Sequence, residues 1–338
     1  MQQFLSRNRL SELLDRAASC RVVVVGDVML DVYLSGDVER ISPEAPVPVM
    51  RVRERRDALG GAANVAQNVH AIGAECDLVG IVGDDAPGRR LRSLLQSVGG
   101  SARMLVQTGR PTTTKSRIVA RSQQLLRVDE EDDGDIGAVD AERVEQIVAE
   151  AIQSADALVL EDYNKGMLVP RVILAAMAAA RARGIPTVVD PKYRHFFLYK
   201  GATVFKPNRR ELEAALGASV DLEHADGLPA AFARLEVENL LLTLGAQGMI
   251  LVGKDGEAAR VPTVAREVYD VVGAGDTVTA YLATMLAVGA SAVEAAVVAN
   301  YAAGVEVGKL GAATVSAHEV LHAYDNYASE NLHAALGA

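Results

Sequence analysis

Short apolar runs, each closed by glycine or a polar residue, recur along the chain. The first is Arg21-Val-Val-Val-Val-Gly26. Others cover residues 76–83, 157–161, 186–190 and 239–243. Runs this short and this rich in Val, Leu and Ile read as strands covered on both faces. Between several of them the apolar positions recur at helical spacing, over 62–72, 88–97, 141–153 and 170–183. Strand alternating with helix predicts an α/β fold: one domain over 1–338 with a mostly parallel sheet and helices on both faces. Two segments break the rhythm. Residues 33–58 are rich in Pro, Val and Arg, and residues 111–127 alternate like a strand. Together they predict a small β lobe that rises from the main sheet.

Composition narrows the picture. Half of the 338 residues are hydrophobic, Trp is absent and aromatics are few, so the core is aliphatic. The net charge of −10 argues against nucleic acid or an anionic membrane as a partner. Local clusters of Arg and Lys then stand out as sites for an anionic ligand. Cys20 and Cys76 make neither a disulfide framework nor a metal set, which suits a reducing cytoplasm. The N-terminus does not read as a signal peptide. The apolar stretch 282–307 is interrupted by Glu294 and Asn300 and reads as packed helices, not a membrane span. The acidic run Asp129-Glu-Glu-Asp-Asp133 reads as a solvated loop.

Open α/β sheets bind ligands beyond the carboxyl ends of their strands. The polar residues there are Asp27 and Asp31; Asp162, Tyr163, Asn164 and Lys165; Asp190 and Lys192; Asn208 and Glu211; and Thr243, Gly245 and Gly248. Carboxylates, amides and lysines together are the equipment for phosphates and a divalent cation. Any one of them could instead be a helix cap or turn. Asn208, just before a helical run, would serve as an N-cap.

The segment Asp270-Val-Val-Gly-Ala-Gly-Asp276-Thr277 carries the strongest signal. A Gly-x-Gly turn that opens a helix aims N–H groups and the positive end of the helix dipole at one point. Asp276 is a carboxylate inside that anion-attracting turn, as a general base for phosphoryl transfer would be. The alternative is a tight strand-to-helix turn with Asp276 as cap. The turn after the first strand reads Gly-Asp-Val-Met-Leu-Asp, which excludes a dinucleotide fingerprint, and no Walker A loop occurs.

Gly60-Gly61-Ala-Ala-Asn64, followed much later by the turn ending in Asp276, resembles the motif pair of the ribokinase/PfkB carbohydrate kinases. Within that family the segments 25–31, 40–48, 123–127 and 307–311 are similar to the bacterial D-glycero-β-D-manno-heptose-7-phosphate kinases. The resemblance runs from about Val22 to about Glu319. It implies a ribokinase-like fold with the β lobe as a lid over the sugar, and a homodimer paired through that lid. It implies ATP and Mg²⁺ as cofactors. Asp276 matches the catalytic base, and Gly273, Ala274 and Gly275 the anion hole. Asp31, Gly60, Gly61 and Asn64 match sugar-binding positions, with Asp162 added as a further candidate. Asn208 and Glu211 match the pair tied to Mg²⁺ and the nucleotide phosphates. Thr243, Gly245 and Gly248 match the nucleotide-side turn, Asn300 the adenine pocket, and Lys192 is grouped with them. The Gly-Gly motif lies one residue nearer Asn64 than in many relatives, a spacing the heptose kinases share. Many bacterial forms carry a C-terminal ADP-transferring domain, and the end of the chain soon after the kinase region implies the form without it.

The expected reaction is phosphorylation of the anomeric 1-hydroxyl of the heptose 7-phosphate, a step in ADP-heptose synthesis for the lipopolysaccharide core. A related kinase for another sugar phosphate or a nucleoside is the alternative, and a non-catalytic sugar- or nucleotide-binding regulator is a reading of another class. Lys115, Arg117 and Arg121 alternate along residues 111–127 and suit a substrate that already bears a phosphate. An exposed basic face is the other reading of those three.

Overall fold

The computed structural model describes residues 4–121, 123–220, 227–265 and 268–336. Its first third runs α1 (Arg7–Ala17), β1 (Arg21–Gly26), β2 (Val28–Ile41), β3 (Pro48–Gly61), α2 (Ala62–Ile72), β4 (Glu75–Gly83), α3 (Ala86–Ser97) and β5 (Ser101–Gln107). Then follow β6 (Thr114–Ala120), β7 (Gln123–Glu130), α4 (Ala138–Ile152), β8 (Ala157–Glu161), α5 (Pro170–Arg183), β9 (Thr187–Asp190) and β10 (Val204–Phe205). The rest is α6 (Arg209–Leu216), α7 (Gly227–Leu235), β11 (Asn239–Thr243), β12 (Met249–Gly253), β13 (Ala258–Val261), α8 (Ala274–Ala287), α9 (Ala292–Glu306) and α10 (Ala317–Leu336).

Nine strands form the main sheet in the order β13-β12-β11-β10-β9-β8-β1-β4-β5. Pairing is parallel except at β11/β12 and β12/β13. Alternation along β1 explains why the sheet is covered on both sides. Val22 and Val24 pack with α2, α8 and α9, whereas Val23 and Val25 pack with α4 and α5. All four are fully buried. Each such side chain contributes about 1.5–3 kcal/mol by leaving water.

The two segments that break the α/β rhythm do pair with each other. They form a separate four-stranded sheet, β3-β2-β6-β7, antiparallel except between β2 and β6. The strands run beyond the limits read from the sequence, because β2 starts two residues after β1 ends and β3 runs straight into α2. The lid therefore joins the main sheet through Asp27, between β1 and β2, and through the strand ends that carry Asp31, Gly60 and Gly61. The acidic run is no free loop. Asp129 and Glu130 belong to β7, and Asp129 and Glu131 both pair with Lys115.

Gly26 marks where the sheet can carry no side chain. A Cβ there would lie 2.9 Å from the Glu161 carbonyl carbon, and closer still to its oxygen. Gly26→Ala is expected to cost about 1–3 kcal/mol through overpacking. Gly137→Ala, where φ is −67° and nothing lies within 4 Å, should cost less, about 0.5–1 kcal/mol, because alanine is only a poorer N-cap for α4. Denaturant melts of the two variants check this, and equal midpoints would show that β1 and β8 can part at no cost.

Candidate active site

Three strands bring one row of charged side chains to the carboxyl edge of the sheet. Gly26 pairs with Glu161, Glu161 with Asp190, and Phe205 with Val189, so Lys206 comes next to Asp190. Ala157, Val159 and Val188 precede the row on the same face and pack with α8. Glu161, Asp190 and Lys206 therefore point at the start of α8. There the chain supplies Asp276. One oxygen each from Glu161, Asp190 and Asp276 lie within 4.8 Å of one another, and all three residues are buried.

The turn before α8 is built to present Asp276. The Asp270 carboxylate accepts N–H bonds from Val272 (3.0 Å) and Gly311 (3.1 Å). Gly273 has φ +96°, and a Cβ on it would lie 2.9 Å from Asn64 Nδ2, so glycine is required twice over. A Cβ on Gly275 would look toward Lys206 Nζ at 3.7 Å and Asp190 Oδ2 at 3.9 Å, so this glycine faces the charged row. The first-turn N–H groups of α8 have no intrahelical acceptors and, with the helix dipole, favour an anion here.

Asp276 is held from two sides. Asn64 Nδ2 donates to Oδ2 and the Tyr163 hydroxyl to Oδ1, each at 2.7 Å. Burial pushes the carboxyl up to about 6, against those two hydrogen bonds. Glu161 goes further in the same direction, raised well above the usual range by burial and by the Asp190 and Asp276 charges. Neither Glu161 oxygen meets a donor among the described residues. Lys206 donates to Asp190 at 2.7 Å. Burial opposes the charge of Lys206 and Lys192, but Asp190 and its neighbours outweigh it, and both lysines rise above their usual value. An orphaned carboxylate beside two others is a donor set of hard oxygens, which fits a divalent cation such as Mg²⁺.

Beside the row opens a cavity of about 460 Å³, the size of a nucleotide or drug-like ligand site. Ala274 and Gly275 line it, as do Lys192, Asn208 and Glu211. Thr243, Gly245, Gly248 and Asn300 line its far side. The structure thus brings together every residue expected on the nucleotide side. Asn300 also donates to the Pro262 carbonyl at 2.8 Å. A second hollow of about 600 Å³ lies between α9 and α10, away from the carboxylates, and is not where a phosphoryl group would meet Asp276.

Several expectations change. Asn208 and Glu211 form a capping box at α6: Glu211 N donates to Asn208 Oδ1 (2.9 Å) and Asn208 N to Glu211 Oε2 (2.8 Å). Lys192 binds the other Glu211 oxygen. These oxygens are engaged locally, while the buried cluster of three carboxylates is Glu161, Asp190 and Asp276, of which Glu161 alone has no partner among the described residues. Asp162 faces inward, accepting the Asn164 N–H (2.7 Å) and the Tyr199 hydroxyl (2.8 Å). Asn64, read as a sugar contact, has its amide on Asp276. Arg121 is not on the strand with Lys115 and Arg117; it follows β6 in a turn, exposed, at φ +55°. Arg117 pairs with the buried Asp31, and Gly60 is glycine because a Cβ would lie 2.5 Å from Asp31 Oδ2.

Two residues of the site, Lys206 and Glu161, were not singled out from the sequence, and Tyr163 was named without a role. Lys206 follows a strand only two residues long, which no periodicity reveals. Glu161 reads as the last residue of an apolar run. Tyr163 was legible only as one polar residue past a strand. The signal that could have found it is Asp27, whose carboxylate accepts N–H bonds from Tyr163, Lys165 (both 2.9 Å) and Met167 (3.3 Å) and so fixes that loop.

The sequence profile described as "pfkB family carbohydrate kinase" matches residues 20–319. The chain is 46% identical over 307 residues to the D-beta-D-heptose 7-phosphate kinase of Bordetella bronchiseptica, covering 90% of this chain and 96% of that protein. It is 44% identical over 317 residues to the bifunctional protein HldE of Rhodospirillum rubrum, covering 93% of this chain but only 64% of that protein's length. The fold is similar to that of phosphofructokinase-2 from Escherichia coli, with a TM-score of 0.76 at 20% identity over 91% of this chain and 99% of that one.

The raised carboxyl of Asp276 has a consequence for stability. An ordinary Asp titrates near 3.8 and Asp276 near 6, so between these values the folded chain holds more protons than the unfolded one. Stability contributed by this group falls as pH rises through that window and levels off above it. Asp276→Asn removes the titration. The melting temperature of the variant relative to the parent should climb from about pH 4 to pH 7, as thermal melts would record. A difference that stays flat with pH would mean the carboxylate is well solvated.

Proposed function

The chain belongs to the pfkB family of carbohydrate kinases, and on that premise we propose that it transfers the γ-phosphoryl group of ATP to the anomeric 1-hydroxyl of D-glycero-β-D-manno-heptose 7-phosphate. The product would be the 1,7-bisphosphate, a step toward ADP-heptose for the lipopolysaccharide core. The observation that carries the chemistry is Asp276, desolvated at a helix start and gripped by Asn64 and Tyr163. The observation that favours the heptose is the 46% identity to a protein of that name over nearly its whole length.

Asp276 takes the proton of the attacking hydroxyl. A carboxyl near 6 is still ionised at neutral pH yet a stronger base than a solvated Asp. Asn64 and Tyr163 fix its direction, which matters because phosphoryl transfer depends on alignment. The first turn of α8 receives the charge on the transferring group, and Lys206 and Lys192 border the cavity for the nucleotide phosphates. Asp190 and Glu161 would hold Mg²⁺, which when bound neutralises phosphate charge. Asp31 meets the sugar beside Gly60. No helix among the described residues is long and apolar enough to cross a membrane. The buried, free Cys20 and Cys76 and the use of ATP fit the cytoplasm.

Steady-state kinetics test this reading. With ATP and a panel of sugar 7-, 6- and 1-phosphates, ADP release should be fastest with heptose 7-phosphate. Asp276→Asn should lower kcat by roughly 10²–10⁴ while ATP still binds. In the same series Asp190→Asn should raise the Mg²⁺ requirement more than Glu211→Ala does. A second copy of the chain would pair through the lid, where Ile41, Val47, Val52 and Leu126 are each at least half exposed. Sedimentation velocity should then give a dimer that Ile41→Asp dissociates. A parent chain that transfers no phosphoryl group to any sugar would point to a binding regulator, and a preference for another sugar phosphate would move the substrate but not the mechanism.

A further inference from the structure

Arg56, Tyr33 and Arg117 stand in one row across the lid. Tyr33 on β2 is in register with Arg56 on β3 and with Arg117 on β6. Residues opposite each other on adjacent strands share a face. Asp31, two residues before Tyr33, is on that same face, and Arg117 donates to it. The row therefore continues from the sugar-side carboxylate. Its other end reaches the segment after α9. A Cβ on Gly311 would lie 3.3 Å from the Arg56 guanidinium carbon. Gly311 N–H is bonded to Asp270, the first residue of the catalytic turn.

The row is polar but incompletely satisfied. Both guanidinium groups lie over the Tyr33 ring, at 4.6 Å and 5.3 Å from its centroid. The Tyr33 hydroxyl is buried and has no hydrogen-bond partner among the described residues. Arg56 is exposed and pairs with no carboxylate among them. The cations read from the sequence differ on this point. Lys115 lies between Asp129 and Glu131, and Arg121 has left the strand.

We propose that Arg56 and the Tyr33 hydroxyl, with Arg117 beside them, form the subsite for the phosphate monoester of the sugar substrate. The inference rests on the sugar-phosphate kinase reading above and adds where that phosphate is held. A phosphate dianion only accepts hydrogen bonds, so it requires donors without competing acceptors. An uncommitted guanidinium offers a planar fork of N–H groups, and the hydroxyl adds one O–H. Burial raises the Tyr33 hydroxyl above its usual pKa, so it keeps its proton and can donate. Asp31, taken up by Arg117, repels the phosphate from the inner end of the row. The sugar is then oriented with its phosphate at the lid and its free anomeric hydroxyl toward Asp276.

The test compares the parent chain, Arg56→Ala, Arg56→Lys and Tyr33→Phe on heptose 7-phosphate and on unphosphorylated heptose, with calorimetric binding wherever turnover is too slow. Arg56→Ala should raise the KM for the sugar phosphate about tenfold or more, with the KM for ATP unchanged. Tyr33→Phe should raise it roughly threefold, and Arg56→Lys should recover part of the loss as a point charge. None of the three changes should affect the unphosphorylated sugar. Inorganic phosphate should compete with the sugar phosphate on the parent and compete less on Arg56→Ala. Equal losses on both sugars, or no change in either, overturn the subsite while leaving the kinase reading intact. If the parent prefers another sugar phosphate, the same comparison with that compound and its dephosphorylated form decides the subsite. A parent that turns over only unphosphorylated sugars overturns subsite and substrate together.

Discussion

Glu161, Asp190 and Asp276 are buried together, within reach of a single ion, and their mutual repulsion shapes the site around them. Like charges at this separation and depth cannot all ionise without compensation. One compensation is internal: Lys206 on Asp190, and two hydrogen bonds on Asp276. The other is left open at Glu161, whose oxygens meet no donor among the described residues. A cation placed among these oxygens would relieve that repulsion.

The rest of the architecture keeps this row in place. Parallel register makes Glu161 and Asp190 neighbours, and alternation turns them toward α8 instead of α4 and α5. Gly26, the next member of the row, leaves room because a side chain there would strike the β8 backbone. Asp27 ties down the loop that carries Tyr163 through three N–H bonds, and burial with the nearby Asp162 charge still raises it to about 6. Asp27 thereby steadies the loop whose Tyr163 hydroxyl donates to Asp276.

The lid is coupled to the same machinery at its root. β2 begins one residue past Asp27, and β3 ends in the Gly60–Gly61 step that starts α2 and positions Asn64. Gly61 has φ +57°, and a Cβ on it would lie 2.5 Å from the Asp27 carbonyl oxygen, so no other residue makes that step without strain. β3 thus leads directly into the helix that carries Asn64, and Asn64 is bonded to Asp276.

The alternating apolar runs and helical periods determined the α/β class, because strand and helix burial impose periods of 2 and 3.6 on any chain. The Gly-x-Gly turn with Asp276 and the Gly60–Asn64 step were legible for a similar reason: backbone that must take positive φ or approach closely admits little but glycine. The cavity-lining Lys192, Asn208, Glu211, Thr243, Gly245 and Gly248 were legible as residues just past strand ends, where the topology of such sheets puts ligands, whereas Asn300 came only from the family resemblance. What each polar group does there was decided only in three dimensions. Asn208 and Glu211, read as a metal pair, also form the capping box of α6 while lining the cavity, a local role that the sequence offered as the alternative. Asp162 turned inward to Tyr199. Lys206 follows a strand too short to show a period, and Glu161 and Tyr163 acquired their roles from neighbours 29 and 113 residues away in sequence (161 to 190, 163 to 276). The pairing of Arg56 with Tyr33 and Arg117 likewise depends on strand register, which the pattern of a single strand does not contain.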